Sequence, residues 1–396
     1  MTYRAGEFEK KRQPGVMTDI FDGQHYQRLK KTSITIDKKT SAPRSSPIAA
    51  TLPLDSRPTV LPLSEGVATR HGLSFYSTTT SLPTFASTLT VSLRSVDYYL
   101  WPAILEFRKL MRGVKAFDGL SLEFFILRPF LIAVFGDIPA VSMLMQMKGH
   151  NGISPCPVRS NPSACKTYKA NALPMRSHDE LLRQAREVQS SSTNADADRL
   201  ANKYGVKSVP ILSQLSSLDF PTSFPYDFMH LIWENVIKNL VLHWTGNFKG
   251  LDDGSESYQF APSVWNAIGE ATHAAGKTIP AVYGPRLPDI ANERGNYITA
   301  DMWSFWTLYI APVLLRRRFK ETRYYRHFVQ LVRILKMCLQ FEITNEDIDE
   351  IRCEIIEWVE KYEHTSTEAH YQPSWIFAPK LSDLCSTTAV SSFRLR

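Results

Sequence analysis

Four sets of side chains in this sequence combine residue types and spacings that can carry chemistry. Asp137 closes FLIAVFGD, an apolar run of strand length, and a carboxylate just past a buried strand is held rigidly where ligands and metal ions commonly bind. The same residue precedes Ile138 and Pro139, so it also suits the N-cap of a helix, and the two roles are compatible. In SFPYDFMHLIWENV, Asp227, His230 and Glu234 stand at i, i+3 and i+7, one face of an α-helix, and Lys238 continues the stripe. Such a stripe can hold a divalent cation or orient a ligand from behind; a solvated face with a satisfied histidine is the plainer alternative. His150, Cys156 and Cys165 carry zinc-binding atoms, but no CxxC pair accompanies them and a closed zinc site needs four ligands, so ordinary thiols are the alternative.

The fourth set is LLRRRFKETRYYRHFVQLVRILK. Here Arg316, Arg317, Arg318, Lys320, Arg323, Arg326, Arg333 and Lys336 are interleaved with Phe319, Tyr324 and Tyr325. The cations can neutralise phosphates while the rings pack or stack on bases. Equally, the arginines can pair with the acidic face of the segment Asn345 to Glu363.

These residues depend on elements legible around them. VDYYLWPAILEFRKLMRGV repeats Leu100, Ile104, Phe107 and Met111 at helical spacing, with Pro102 expected in the first turn. LEFFILR and FLIAVFG read as strands, and IPAVSMLMQMK as a helix that starts at Pro139 and stops at Gly149. SHDELLRQAREVQ reads as a helix capped by Ser177 with Glu180 completing a capping box, and SSSTNADAD as a flexible linker. Helices are expected over 226–244, 300–319 (bent at Pro312), 322–339 and 345–363. In the last, Thr344 and Asp347 match a cap and Ile348, Ile351, Ile355, Trp358 and Tyr362 form an apolar stripe.

Composition bounds the class. With 43% hydrophobic residues the 396-residue chain can bury a sizeable core, and a net charge of +7 is compatible with a polyanionic partner without requiring one. Five cysteines, unevenly placed, do not make a secreted disulfide framework, which predicts a reducing compartment. The N-terminal residues lack the apolar core of a signal peptide and no run is long enough to span a membrane; the expected location is intracellular, nuclear or cytoplasmic. Residues 38–95, crowded with Ser, Thr, Pro and Leu, are expected to be disordered.

Read together, FGDIPAVSMLMQMKGHNG, then SFPYDFMHLIWENVIKNL with WTGNFKGLD, then MWSFWTLYIAPVLLRRRF resemble successive blocks of CACTA (En/Spm) superfamily DNA transposases of the fungal type. The resemblance covers about 100–363 and a short upstream piece, PGVMTDIFDGQHY, within residues 1–37. It implies an α/β, mostly α architecture: a partial ribonuclease-H-like core with a large helical insertion and a helical C-terminal part. It also implies DNA as partner, with a homo-oligomer left open, and three acids holding two divalent ions, Mg2+ or Mn2+, roughly 4 Å apart. Asp137 matches the second acid, in the family's GDxPA block; Asp227 and His230 match its DxxH block, as support or metal ligands; Glu234 is a further catalytic candidate.

The sequence departs from the family in three places. Ser154 and Arg159 stand where cysteines of a knuckle would be, leaving Cys156 and Cys165, which puts zinc in doubt. The first acid belongs to an STDGF-like block that 38–95 lacks; codons permitted by SRPTVLPLS can spell LSTDGFAPF in a shifted frame, so residues 40–95 read as an out-of-frame translation. Similarity ends after His364, before the family's last acid, and 364–396 is a divergent tail. The expectation is therefore a transposase-derived, DNA-binding protein inactive in cleavage, since a two-metal site loses most activity with one ligand gone. The alternatives are a domesticated non-catalytic protein-interaction module and an intact enzyme once the frames are corrected.

Overall fold

The computed structural model describes residues 13–18, 22–24, 27–28, 35–36, 39–40, 96–119, 122–149, 153–154, 176–248, 256–280, 284, 286–292 and 298–367. In chain order the described elements begin with β1 (Val16–Met17), β2 (Thr35–Ile36), β3 (Lys39–Thr40) and α1 (Asp97–Arg112). Next come β4 (Val114–Asp118), β5 (Glu123–Leu127), α2 (Ile138–Leu144), α3 (His178–Gln189) and α4 (Asn194–Tyr204). A π-helix, Met229–Ile237, leads into α5 (Lys238–Trp244), followed by α6 (Pro262–Gly276) and α7 (Ala300–Phe305). A second π-helix, Trp306–Ile310, leads into α8 (Ala311–Leu314), then α9 (Thr322–Cys338), β6 (Ile343–Thr344) and α10 (Asn345–Thr367). The fold is mostly helical, and its sheets are two-stranded and antiparallel: β1 with β6, β2 with β3, β4 with β5. Of the segment expected to be disordered, 38–95, all but Lys39 and Thr40 lies outside the described residues. The chain divides into two compact units, one ending at Tyr226 and the other running from Asp227 to the C-terminus with Gly15–Ile20 added.

In the first unit α1 buries Leu100, Ile104 and Met111, the stripe that its sequence spacing predicts, while Phe107 packs beside them. Pro102 is not in the first turn as expected: the helix starts at Asp97, so Pro102 lies inside it and withholds one N–H from the i−4 carbonyl. Gly113 ends the helix at φ 110, where a Cβ would stand 2.5 Å from Ile126 Cγ2, so the sharp entry into β4 requires glycine. The second predicted strand forms no ladder. Leu131 to Val134 are buried in an extended segment, with Val134 N–H donating to Ser223 O at 2.8 Å and a parallel bridge joining Gly136 to Tyr226.

Several helix limits and caps differ from expectation, among them the helix expected over 300–319, which ends at Leu314. α2 stops at Leu144 instead of reaching Gly149, because Gln146 adopts a left-handed φ of 54. SSSTNADAD is not a linker: Thr193 caps α4, accepting from Asp196 N–H at 3.1 Å and donating to Asp196 Oδ2 at 2.9 Å. The α3 cap is half of a box; Ser177 accepts from Glu180 N–H, but the Glu180 carboxylate turns to Arg183 and Gln184.

The second unit is an aromatic core. Trp244 meets Phe260, Phe319 and Phe328 edge-on, and Trp306, wholly buried, donates through Nε1 to Thr272 Oγ1 at 3.1 Å. α6, which the sequence reading missed, supplies Trp265, Ile268 and Thr272 to it. The predicted α10 stripe is buried at Ile348, Ile351, Ile355 and Trp358, and its cap forms as predicted, Thr344 and Asp347 each accepting from the other's N–H. Met17 packs with Ile343 and Ile348, which ties the upstream piece to the start of α10.

Candidate functional site

Asp137 sits where its sequence context places it, at the junction of a buried extended segment and a helix. Its Oδ1 accepts the Ala140 N–H at 2.6 Å and its carbonyl accepts the Val141 N–H at 2.9 Å, so the capping role is realised. The residue is half-buried, and its other carboxylate oxygen has no partner among the described residues. One carboxylate already bound to a helix N–H does not by itself fit a two-metal centre.

Asp227 lies just before the first π-helix rather than on it. It accepts from Met229 N–H at 3.0 Å and from His230 Nδ1, with both side chains about 30% exposed. A carboxylate on Nδ1 fixes the imidazole orientation and assigns the Nδ1–H tautomer. Glu234 joins neither residue. The i→i+5 bonding of Met229–Ile237 widens each turn, so positions seven apart no longer stack on one face, and the expected stripe is broken. Asn235 Nδ2 donates to the His230 carbonyl at 2.5 Å, closing the widened turn.

His150, Cys156, Cys165 and Arg159 lie outside the described residues. Ser154 is buried against the end of α4, its hydroxyl donating to Lys203 O at 3.3 Å and its carbonyl accepting from Arg176 at 2.9 Å. Among the described residues no group of three or more His, Cys, Asp and Glu side chains could hold a metal ion.

The basic segment separates into two populations. Arg333 reaches Glu350 at 2.5 Å and Glu354 at 3.5 Å, the pairing with α10 that was one of its two readings, and Arg323 pairs with Glu321 at 2.9 Å. Arg316, Arg317, Arg318, Lys320, Arg326 and Lys336 are exposed and have no acidic partner among the described residues. The first three form the turn after α8, with Arg317 at φ 60. The interleaved rings are not available for stacking: Phe319 packs on Trp244 and Phe260, Tyr324 meets Tyr258, and Tyr325 donates to Pro312 O at 2.7 Å. An accessible ring beside this segment is Tyr309, 59% exposed in the second π-helix, with Lys336 Nζ over it at 5.7 Å from its centroid. Sequence reasoning missed it, because WTLYIAPVLL reads as continuous core at α-helical spacing.

Next to this surface, the α9–α10 seam encloses His327. Its Nε2 meets Trp358 O at 2.9 Å, Trp358 Nε1 donates back to His327 O at 3.0 Å, and the rings stack at 4.6 Å. Burial pushes the imidazole down to about 4, against the carbonyl contact and with a smaller push from Lys361. The buried Cys338 thiol is pushed up to about 12 by the same desolvation, which makes it unreactive.

No protein-family model and no curated protein matches the chain. Among the described residues no helix is long and apolar enough to cross a membrane.

Proposed function

We propose that this is a transposase-derived protein of CACTA ancestry whose remaining activity is DNA binding through the surface of Arg316 to Lys336, without DNA cleavage. The observation that carries the binding is the set of six exposed cations with no acidic partner among the described residues, gathered on one turn and one helix. A cation already neutralised by a carboxylate releases little counterion on meeting a phosphate; an unpaired one contributes fully. Support for a ribonuclease-H-like origin is the buried segment ending in Asp137, bridged in parallel to Tyr226. Support for inactivity is in the sequence: the blocks in which the resemblance places the first and last acids are missing from 38–95 and after His364. Should Asp137 retain its ancestral role, Mg2+ or Mn2+ would supply the Lewis acid; the chain's own contribution would be that single fixed carboxylate.

The test is retention of duplex DNA by the full chain across a salt series. All six cations engaged gives a log–log slope of about −5, from roughly −0.9 per phosphate. Salt-independent or absent retention overturns the reading.

The alternative, an interaction module, is favoured by a different surface. The β4–β5 hairpin exposes Phe117, Phe124 and Ile126 on one face with Lys115 over the Phe124 ring at 4.2 Å, and α1 exposes Tyr98, Tyr99 and Trp101.

A further inference from the structure

We propose that Tyr309 is a stacking platform for an unpaired base, so that the basic surface takes single-stranded DNA in preference to duplex; this rests on the DNA-binding reading above. The ring is anomalous in its setting. Trp306, three residues earlier in the same π-turn, is wholly buried and hydrogen-bonded to Thr272, which pins the turn. Tyr309 is left 59% exposed, tilted on Phe305 at 5.4 Å. It is therefore a rigid face on a fixed scaffold, and little side-chain entropy is lost when a base settles on it.

Cations stand on the neighbouring helix. Lys336 Nζ lies over the Tyr309 ring, 5.7 Å from its centroid, on a long exposed side chain that can move from the face to a phosphate, and the Tyr325 hydroxyl bonded to Pro312 O joins α8 to α9 next to Arg326. Arg326 and Lys336 are ten residues apart on one helix, roughly 15 Å at 1.5 Å per residue, a span that follows several backbone phosphates. Val313 and Val329, 71% and 37% exposed, add apolar surface of the kind a sugar or base edge covers.

Duplex DNA can satisfy the cations but hides its base faces in the stack, whereas a single strand offers both phosphates and π-faces. An acidic peptide matches the charge and leaves Tyr309 without a partner of its own kind. The ring therefore selects among polyanions, and the cations set the salt dependence.

The experiment compares the full chain and Tyr309→Ala on a single-stranded thymidine oligonucleotide, an abasic strand of equal charge, a duplex and polyglutamate. For the unsubstituted protein the thymidine strand should bind at least about fivefold more tightly than the abasic strand, the lower end of one base–aromatic stack. Tyr309→Ala should abolish that difference while leaving duplex binding within about twofold, and Tyr309→Phe should restore it. Equal binding of thymidine and abasic strands by the unsubstituted protein overturns the platform even if the duplex is held. Polyglutamate competing as well as the oligonucleotide also overturns it. Loss of all DNA binding overturns the parent reading and this inference together, a distinct outcome.

Discussion

Helix α9 and the turn before it treat their cations in two ways, and the contrast between the paired and the unpaired ones carries most of what the molecule says about function. Along the seam with α10, Arg333 is held by two glutamates, and Gln330 and Lys361 complete a polar strip with Glu354 and Glu357 around the His327–Trp358 stack. Toward the N-terminal end of the helix and in the turn before it, Arg326, Lys320 and the three arginines have no acidic partner among the described residues. Residues of one type in one run of sequence thus serve two purposes, and the partner helix decides which. Net charge counts both populations alike; phosphate binding responds mainly to the second.

The seam should be broken most severely at Trp358. Trp358→Ala removes a buried ring, its stack on His327 and the indole bond to the His327 carbonyl, and should cost about 3–5 kcal/mol in denaturant unfolding. A loss below about 1 kcal/mol would show that α10 does not lean on α9 through this residue.

A smaller effect on the same seam is its pH dependence. His327 is held neutral, with its folded value about 4 against an ordinary 6.5, so protons prefer the unfolded chain. Stability from this residue is complete above pH 6.5 and is lost as pH falls from there through 4. Part of the residue still meets solvent, so the change should be on the order of 2 kcal/mol across that window. His327→Phe should flatten the titration of stability there. An unchanged slope in the variant would place the acid sensitivity elsewhere.

Much of the fold was legible where local signals agreed. The α1 and α10 stripes and the Ser177 and Thr344 caps follow from spacing alone, because burial of one face and capping of free N–H groups are local requirements. The missed α4 carried its own signal, Thr193 followed three residues on by Asp196, overridden by the polar composition around it. The two π-helices carried none. Hydrogen bonding to i+5 is set by packing, so the Asp227, His230 and Glu234 stripe and the outward placement of Tyr309 could not be read from α-helical periodicity. Asp137 was legible as cap and as acid; only the cap has its hydrogen-bond partner in the structure.

The finest test of this contrast uses two arginines seven residues apart on α9, and therefore on nearly the same exposed face, one paired and one not. Arg326→Ala removes an unpaired cation and should reduce the magnitude of the duplex salt slope by about 0.9. Arg333→Ala removes one that two carboxylates already hold, and it leaves Glu350 and Glu354 uncompensated at the edge of the same surface. Its slope should change by less than half as much as that of Arg326→Ala. Affinity at low salt should still fall, because the unmasked glutamates repel phosphate within about 10 Å at 0.1 M ionic strength. Arg333→Ala combined with Glu350→Gln and Glu354→Gln should recover that low-salt affinity without restoring a cation. If the two single variants shift the slope equally, the glutamates do not shield Arg333, and phosphate binding extends across the whole exposed length of α9.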